Sequence, residues 1–219
     1  MNKKKNIIMS CCLLLVPIIY TLLVKYVDVR AIGPNGSSVG FGAINKFVSN
    51  LLGVHMSLYK LTEYLGYLAL LIAFNYALLG ILQLFKRKSL LKIDKEIIVL
   101  GCFYVIVIGL YVLFEKVIIN YRPVLIDGVL EASYPSSHTL LALCICGSSL
   151  IVNKYLFKEK KCSKYGNILA IVLMISILLG RLISGVHWFT DIVGGVLFSL
   201  SLLKIFKTVL EYINEKKEI

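Results

Sequence analysis

Three short clusters of polar residues interrupt a sequence that is otherwise mostly apolar. They are Tyr121-Arg122-Pro123, Pro135-Ser136-Ser137-His138, and Arg181 followed by His187 and Asp191. Together they hold two of the chain's three histidines and two of its four arginines. Arginine, serine, histidine and aspartate are residue types that bind a phosphate group and transfer it. We therefore treat the three clusters as parts of one candidate phosphate-handling site.

His187 and Asp191 form the pair best suited to chemistry. They are four residues apart at the start of an apolar stretch, and on a helix this spacing puts both side chains on one face. The carboxylate can then accept a hydrogen bond from one imidazole nitrogen and leave the other nitrogen free and basic. Such a histidine is prepared to act as a nucleophile or a general base.

Arg122 and Arg181 are conspicuous because the chain otherwise prefers lysine, with 20 Lys against four Arg. A planar guanidinium forms two parallel hydrogen bonds to phosphate oxygens, which the ammonium group of lysine cannot do. Arginine at these two positions therefore indicates that the geometry of an oxyanion is recognised.

The segment Pro135-Ser136-Ser137-His138 opens an apolar stretch that we predict to be a helix. The first backbone N–H groups of a helix are unpaired and favour an anion, and Ser136 and Ser137 add hydroxyl donors. His138 lies about a turn further along, where it could protonate the oxygen of a leaving group.

The composition indicates an integral membrane protein. Of 219 residues, 58% are hydrophobic and 16% are charged, and the mean hydropathy is +0.85. A soluble domain is rarely so apolar. No polar linker or change in composition divides the chain, so we predict one domain over residues 1–219, with the motifs between about 115 and 195.

Six stretches are long and apolar enough to cross a hydrocarbon core as helices, which takes about 20 residues each. The sequence therefore predicts an all-α bundle of six transmembrane helices. The stretches are Ile7–Val24, Leu58–Phe85, Glu96–Ile118, Ser137–Phe157, Ile168–Ser184 and Trp188–Phe206.

The net charge of +12 follows the topology of this bundle. The basic residues recur at every second connection, which by the positive-inside rule predicts that both termini are cytoplasmic. They are Lys3, Lys4, Lys5, Lys86, Arg87, Lys88, Lys92, Lys95, Lys154, Lys158, Lys160, Lys161, Lys164, Lys204, Lys207, Lys216 and Lys217. Because the charge is distributed in this way, we expect contact with membrane lipids and no binding of nucleic acid. All three clusters then lie at the outer membrane–water interface of a multi-pass protein in the cell membrane, with the site facing outward.

The N-terminal lysines and the apolar run after them resemble a signal peptide, but no small-x-small cleavage site follows. We expect the segment to be retained as a membrane anchor. The six cysteines show no CxxC spacing, and we interpret them as small apolar residues without a disulfide or metal role.

The first outward loop, residues 25–57, contains apolar residues at helical spacing, among them Ile44, Phe47 and Leu51. Two interpretations fit this pattern. The segment is either an amphipathic helix in the outer membrane interface or an ordinary surface helix that covers the bundle.

The clusters and the six-span layout resemble the type 2 phosphatidate phosphatase family. Its signature contains a Lys seven positions before Arg-Pro, then Pro-Ser-Gly-His, then Ser-Arg followed by spaced His and Asp. Arg122-Pro123, Pro135-Ser136-x-His138 and Arg181-x5-His187-x3-Asp191 match in order and spacing.

The resemblance implies a membrane phosphatase that acts on a lipid phosphate or pyrophosphate through a phosphohistidine. His187 would be the nucleophile, Asp191 its orienting partner and His138 the acid for the leaving group. The phosphoryl oxygens would be bound by Arg122, Arg181, Ser136, Ser137 and Lys116. No metal, no other cofactor and no obligate protein partner is implied. Undecaprenyl pyrophosphate, phosphatidate and phosphatidylglycerophosphate are all possible substrates.

Three positions depart from the family pattern. The residue seven before Arg122 is Glu115, and Lys116 comes one position late, which on a helix is a rotation of about 100°. Ser137 replaces the family's Gly and Gly180 replaces its Ser. We expect Lys116 to contribute less to phosphate binding than the two arginines.

Two alternative functions remain open. A lipid phosphotransferase would use the same phosphohistidine but pass the group to another lipid or sugar. A non-catalytic lipid-phosphate binder or small transporter would use only the arginines and the helix ends.

Overall fold

The computed structural model of the chain describes residues 3–157 and 161–215. Four of the lysines in the charge pattern, Lys158, Lys160, Lys216 and Lys217, lie outside the described residues. The helices are α1 (Lys3–Tyr26), α2 (Gly42–Leu52), α3 (Met56–Arg87), α4 (Lys95–Lys116), α5 (Ser137–Leu156), α6 (Lys161–Ile183) and α7 (Phe189–Glu215). Two-residue strands β1 (Arg30–Ala31) and β2 (Ser38–Val39) pair antiparallel, and 3-10 turns lie at Pro34–Gly36 and Leu90–Lys92.

Every helix except α2 is long and apolar enough to cross a membrane, which confirms the prediction of six spans. The predicted ends are less accurate where a helix continues into polar sequence. Helix α6 begins at Lys161 instead of Ile168, and α7 continues to Glu215 instead of Phe206. In α7 the extra turns include Lys207 and Glu211, whose charged atoms are 3.7 Å apart at an i,i+4 spacing. A hydropathy pattern reports the apolar length only, so it misses such turns.

Helix α5 is the centre of the bundle. In α5, 67% of the most apolar 18-residue stretch is buried, whereas in α3 the buried share is 6%. Helix α5 packs against α3, α4, α6 and α7. Small residues make this close packing possible, since a Cβ at Gly147 would lie 2.5 Å from a methyl group of Leu203 on α7. Cys144 and Cys146 are buried in α5 as free thiols, in keeping with the interpretation of these cysteines as small apolar residues.

The outward faces of the peripheral helices are apolar and exposed. Examples are Leu15 on α1, Phe85 on α3, Val105 on α4 and Leu169 on α6, each more than half exposed. A contiguous exposed apolar surface on a bundle of spanning helices is a surface that meets lipid. The chain is therefore a membrane protein.

Helix α2 lies across the end of the bundle where α5 and α7 begin, which we call the site end. Its buried face is polar: Asn45 is fully buried and its side chain bonds the Gly40 carbonyl and both the backbone N–H and the hydroxyl of Thr190. Phe47 and Leu51 on its other face are 67% and 70% exposed. The apolar stripe thus faces away from the bundle, which favours the interfacial interpretation of this helix.

The connection between α2 and α3 presses against the turn between α6 and α7. Gly185 has φ of +67°, and a Cβ there would lie 1.9 Å from the Gly53 carbonyl oxygen. The His55 backbone N–H donates to the Ser184 carbonyl at 2.9 Å. Only glycine fits both the left-handed conformation and the close approach at position 185. This contact fixes the turn that carries His187.

Candidate active site

The three sequence clusters meet at the site end of the bundle. The Ser136 backbone N–H donates to the Asp191 carbonyl at 3.0 Å, which joins the start of α5 to the first turn of α7. The Trp188 indole N–H donates to the Tyr121 carbonyl at 2.7 Å, which joins the α4–α5 loop to the α6–α7 turn. Residues as far as 67 positions apart in the sequence are therefore joined by direct hydrogen bonds.

His187 lies in the turn before α7, whose first helical residue is Phe189. The expectation that His187 and Asp191 share one face of a helix is therefore wrong. The imidazole Nδ1 is 3.0 Å from the Ser133 hydroxyl oxygen, and that hydroxyl donates to Asp191 Oδ2. The carboxylate thus contacts the imidazole through Ser133 and not directly.

Asp191 is fully buried, and hydrogen bonds fix both of its oxygens. Oδ2 accepts from the Trp188 backbone N–H at 2.9 Å as well as from Ser133, and Oδ1 accepts from the Asn120 amide at 3.2 Å. The bond from Trp188 gives the arrangement of a capping box, in which the third helical residue reaches back to the N-cap. The same carboxylate therefore caps the start of α7 and accepts hydrogen bonds from Ser133 and Asn120.

The surroundings of His187 keep its imidazole neutral. Its side chain is 5% exposed, and burial lowers its pKa well below the ordinary value, with further lowering from the positive charges of Arg122, Arg181 and His138. The ring nitrogen Nε2 is buried and has no hydrogen-bond partner in the described part of the chain. A neutral imidazole with a free nitrogen is the reactive form of a histidine nucleophile.

The two arginines are brought to the same place by the ring of Tyr59 in α3. The guanidinium carbons of Arg181 and Arg122 lie 4.7 Å and 5.7 Å from the centre of that ring. Arg181 is fully buried, and none of its three guanidinium nitrogens has a hydrogen-bond partner among the described residues.

Arg122 is 7% exposed, and its Nε and Nη1 also have no hydrogen-bond partner among the described residues. Glu131 Oε2 lies 3.0 Å from Arg122 Nε, as an ion pair that lacks hydrogen-bond alignment. Buried charged donors without acceptors are costly. Together with Arg181, Arg122 forms a cationic pair that is suited to an oxyanion.

Ser136 caps the start of α5, and its own hydroxyl makes no capping bond to the helix backbone. It is fully buried and accepts a hydrogen bond from the Thr139 hydroxyl at 3.0 Å. Ser137 and His138 are half-buried in the first turn. The His138 ring lies against Gly66 of α3, where a Cβ would be 3.2 Å from the imidazole Cδ2. The first turn of α5 thus presents backbone donors, a hydroxyl and a second imidazole at the same end of the bundle.

Lys116 is the sequence-predicted site residue that the structure does not bring in. It is the last residue of α4, and its side chain is exposed. Its neighbour Glu115 lines a small cavity together with Ser133, Ser137 and His187, and Lys116 is not among the lining residues of this cavity. The one-residue displacement therefore puts a carboxylate where the family has a lysine.

Gly180, which replaces the family's Ser, packs closely against a side chain of α3. A Cβ at position 180 would lie 2.4 Å from the methyl group of Thr62 on α3. Thr62 is buried and its hydroxyl donates to the Tyr59 carbonyl at 2.7 Å. The space of the missing serine side chain is thus filled by the helix that carries Tyr59.

Ser133, Asn120 and Tyr59 were not identified from the sequence. Ser133 and Asn120 are single polar residues in the loop between α4 and α5, and their polarity next to the Arg-Pro and Pro-Ser clusters is the one signal that could have found them. Tyr59 is one of 13 tyrosines, most of them in spans, and nothing in the sequence distinguishes it. Within residues 3–157 and 161–215, no three His, Cys, Asp or Glu side chains come together to hold a metal ion.

The chain is similar to known phosphatases in sequence and in fold. A curated relative from Arabidopsis thaliana, lipid phosphate phosphatase delta, is 32% identical over 91 residues, which is 41% of this chain and 22% of that protein. The matched part thus spans less than a quarter of the relative. A crystal structure of a transmembrane PAP2 type phosphatidylglycerolphosphate phosphatase from Bacillus subtilis has a similar fold. Its TM-score is 0.61 at 21% identity, over 94% of this chain and 96% of that chain.

The family model of the PAP2 superfamily matches residues 102–215, which include all three clusters and the helices that carry them. This is the family that the spacing of the clusters resembles. Because the match covers more than half of the 219 residues, the chain belongs to the PAP2 superfamily.

Proposed function

We propose that the chain is a membrane phosphatase that hydrolyses a lipid phosphate or lipid pyrophosphate through a phosphohistidine at His187. The observation that carries this proposal is a neutral imidazole beside two buried guanidiniums. Within the described residues, His187 Nε2, two nitrogens of Arg122 and all three guanidinium nitrogens of Arg181 have no hydrogen-bond partner. An anion-binding protein needs the guanidiniums but has no use for a buried histidine linked to a buried carboxylate. A phosphoryl-transfer enzyme needs both.

In the proposed first step, the Nε2 lone pair of His187 attacks phosphorus and the bond from phosphorus to the lipid oxygen breaks. Arg122, Arg181 and the backbone N–H groups at the start of α5 stabilise the charge that develops on the phosphoryl oxygens. His138 gives its proton to the departing oxygen. Because its ring lies against Gly66 of α3, the lipid portion of the substrate would leave on the α3 side of the site.

In the second step, water attacks the phosphorus of the phosphohistidine. His138, now deprotonated, accepts a proton from this water, the P–N bond breaks, and inorganic phosphate is released. Both imidazoles return to their starting states. The groups that neutralise charge in both steps are arginines and backbone donors, so we propose that the reaction needs no metal ion or other cofactor.

The substrate class follows from where the site lies. The site is at one end of a bundle of spanning helices, beside apolar surfaces that meet lipid. The headgroup phosphate of a lipid can reach a site at this end of the bundle while the acyl or prenyl chains of the same lipid stay in the membrane. Undecaprenyl pyrophosphate, phosphatidate and phosphatidylglycerophosphate are proposed candidates. The lysine pattern supports an outward-facing site in the cell membrane.

The central experiment measures inorganic phosphate released from a small panel of lipid phosphates by the purified protein in detergent. We expect turnover in excess EDTA and inhibition by vanadate, and a ³²P-labelled substrate should leave an acid-labile, base-stable label on the protein. His187→Ala should abolish both turnover and label while the protein stays folded. Transfer of the label to another lipid without phosphate release would instead indicate a phosphotransferase. Loss of activity in EDTA that Mg²⁺ restores would contradict the metal-free mechanism.

A further inference from the structure

The hydroxyl of Ser133 lies between the two groups that the family signature pairs directly. Its oxygen is 3.0 Å from His187 Nδ1 and donates to Asp191 Oδ2. A serine hydroxyl has one proton and two lone pairs, so a hydroxyl that donates to the carboxylate can only accept from the imidazole. Nδ1 therefore carries the imidazole proton, and Nε2 keeps its lone pair.

We propose that Ser133 is a positioning residue that links Asp191 to His187, fixes the His187 tautomer and transmits the stabilising effect of the carboxylate to the imidazole. This inference rests on the proposed function, in which Nε2 is the nucleophile. When Nε2 bonds to phosphorus, the imidazole becomes cationic and keeps its Nδ1 proton. The chain from Nδ1–H to the Ser133 oxygen, and from the Ser133 hydroxyl to Asp191, then polarises toward the new charge.

The hydroxyl of Ser133 is held in place from both sides. Ser133 is 2% exposed, and its backbone N–H donates to the Asn120 carbonyl at 2.9 Å. The Asn120 amide donates to the other carboxylate oxygen of Asp191 at 3.2 Å and accepts from the Gly40 backbone N–H at 3.3 Å. Asn120, Ser133 and Asp191 thus form a closed ring of hydrogen bonds. A fixed ring of this kind orients the imidazole, as a partner of a metal-bound histidine does.

The test compares Ser133→Ala and Ser133→Cys with the matched control Ser199→Ala. Ser199 is fully buried in α7, where its hydroxyl donates to the backbone carbonyls of Gly195 and Leu140. Ser133→Ala should lower kcat by about ten- to a hundredfold with KM within about twofold of wild type, because orientation and not phosphate binding is lost. Ser199→Ala should retain wild-type kcat.

A double-mutant cycle with Asp191→Asn gives the decisive readout. If Ser133 transmits the effect of the carboxylate, Ser133→Ala should cost little further activity once Asp191 is Asn. Losses that multiply would overturn the inference, as would a KM that rises in proportion to the fall in kcat. If Ser133→Ala does not fold, Ser133→Cys keeps the volume with a weak donor, and wild-type kcat in that folded variant would also overturn the inference.

The same experiment separates this inference from the proposed function. If wild-type protein forms no ³²P-phosphohistidine, the proposed function fails whatever Ser133 does. If wild-type protein forms the phosphohistidine and Ser133→Ala forms it at the wild-type rate in a single turnover, the role of Ser133 fails alone.

Discussion

His187 is buried at the point where the positive charges of two arginines and a second histidine act on it. Each of these surroundings disfavours the imidazolium, so the pKa of His187 lies well below its ordinary value. The arginines have the opposite chemistry, because a guanidinium stays charged in proteins. At the residue scale the candidate site therefore combines an uncharged imidazole with permanent cations. Phosphoryl transfer to nitrogen needs this combination, since a protonated histidine has no lone pair to give.

The pH dependence of kcat/KM should reflect this low pKa. Only neutral His187 attacks, so activity should be lost as the pH falls through the pKa of His187, well below about 6.5, the ordinary value for histidine. The measurement is kcat/KM from pH 4 to 8 with two substrates whose phosphates have different second pKa values. If kcat/KM falls at the same low pH for both substrates, the group that titrates belongs to the enzyme. A fall at or above pH 6.5 for both substrates would contradict the assignment.

The two arginines should matter far more than Lys116. Arg122→Ala and Arg181→Ala each remove paired hydrogen bonds to phosphate, which leaves about 3 kcal/mol of transition-state charge uncompensated, roughly a hundredfold in kcat/KM. Lys116→Ala should lower kcat/KM much less, because the Lys116 side chain is exposed. The three variants are compared on one lipid phosphate at fixed ionic strength. An equal fall in Lys116→Ala would show that the end of α4 is rewound in the active protein.

At the scale of the element, α3 contributes more to the site than its low burial indicates. Only 6% of its most apolar window is buried, yet its first turn carries Tyr59, whose ring faces both guanidiniums. Like-charged arginines repel each other, and an aromatic ring in contact with both supplies attraction to each of them. The next turn carries Thr62, which fills the space beside Gly180. Helix α3 therefore contributes an aromatic contact to both cations of the candidate site.

Tyr59→Leu should weaken phosphate binding by roughly tenfold or more, because two cation–π contacts of about 0.5 to 2 kcal/mol each are lost. We expect this as a rise in KM and in the vanadate inhibition constant. Tyr59→Phe keeps the ring and should stay near wild type. Tyr64→Leu, at an exposed position of the same helix, is the control for changes on α3. If the Phe variant is impaired as strongly as the Leu variant, the hydroxyl and not the ring is responsible.

At the scale of the whole molecule, the bundle separates two chemically different ends. One end carries Arg122, Arg181, the histidines and helix α2, and the other carries the basic residues near Lys88. The spanning helices between them expose apolar side chains. A phosphate site at one end of such a bundle reaches headgroups in one leaflet only. The orientation of the chain therefore decides which pool of lipid phosphate is available.

The positive-inside pattern predicts that the site end faces outward. Asp127→Cys lies in the exposed α4–α5 loop at the site end, and Lys88→Cys lies just beyond α3 at the other end. In intact cells, a membrane-impermeant maleimide should label Asp127→Cys and leave Lys88→Cys unlabelled. Permeabilised cells should show both labels, and wild-type protein gives the background of its native cysteines. The reverse pattern in intact cells would invert the topology.

The sequence was sufficient for features that depend on composition and on topology. Six apolar lengths predicted six spanning helices, and the alternation of connections predicted that three distant clusters share one end. The prediction of a direct hydrogen bond between His187 and Asp191 was wrong, because α7 begins at Phe189 and His187 lies in the turn before it. Ser133 and Tyr59 act through contacts between distant parts of the chain, and no local spacing reports such contacts.

The buried guanidinium of Arg181 has a consequence for the stability of the folded protein. Arg181 is fully buried, and no hydrogen-bond partner for its three guanidinium nitrogens lies in the described part of the chain, so an anion that pairs with them should be bound by the folded chain and not by the unfolded one. By mass action, inorganic phosphate should then raise the melting temperature in proportion to the logarithm of its concentration. The same affinity would retain the reaction product. Turnover in a phosphate-rich environment should therefore be limited by product release, and the measured rate would depend on ambient phosphate as much as on lipid supply.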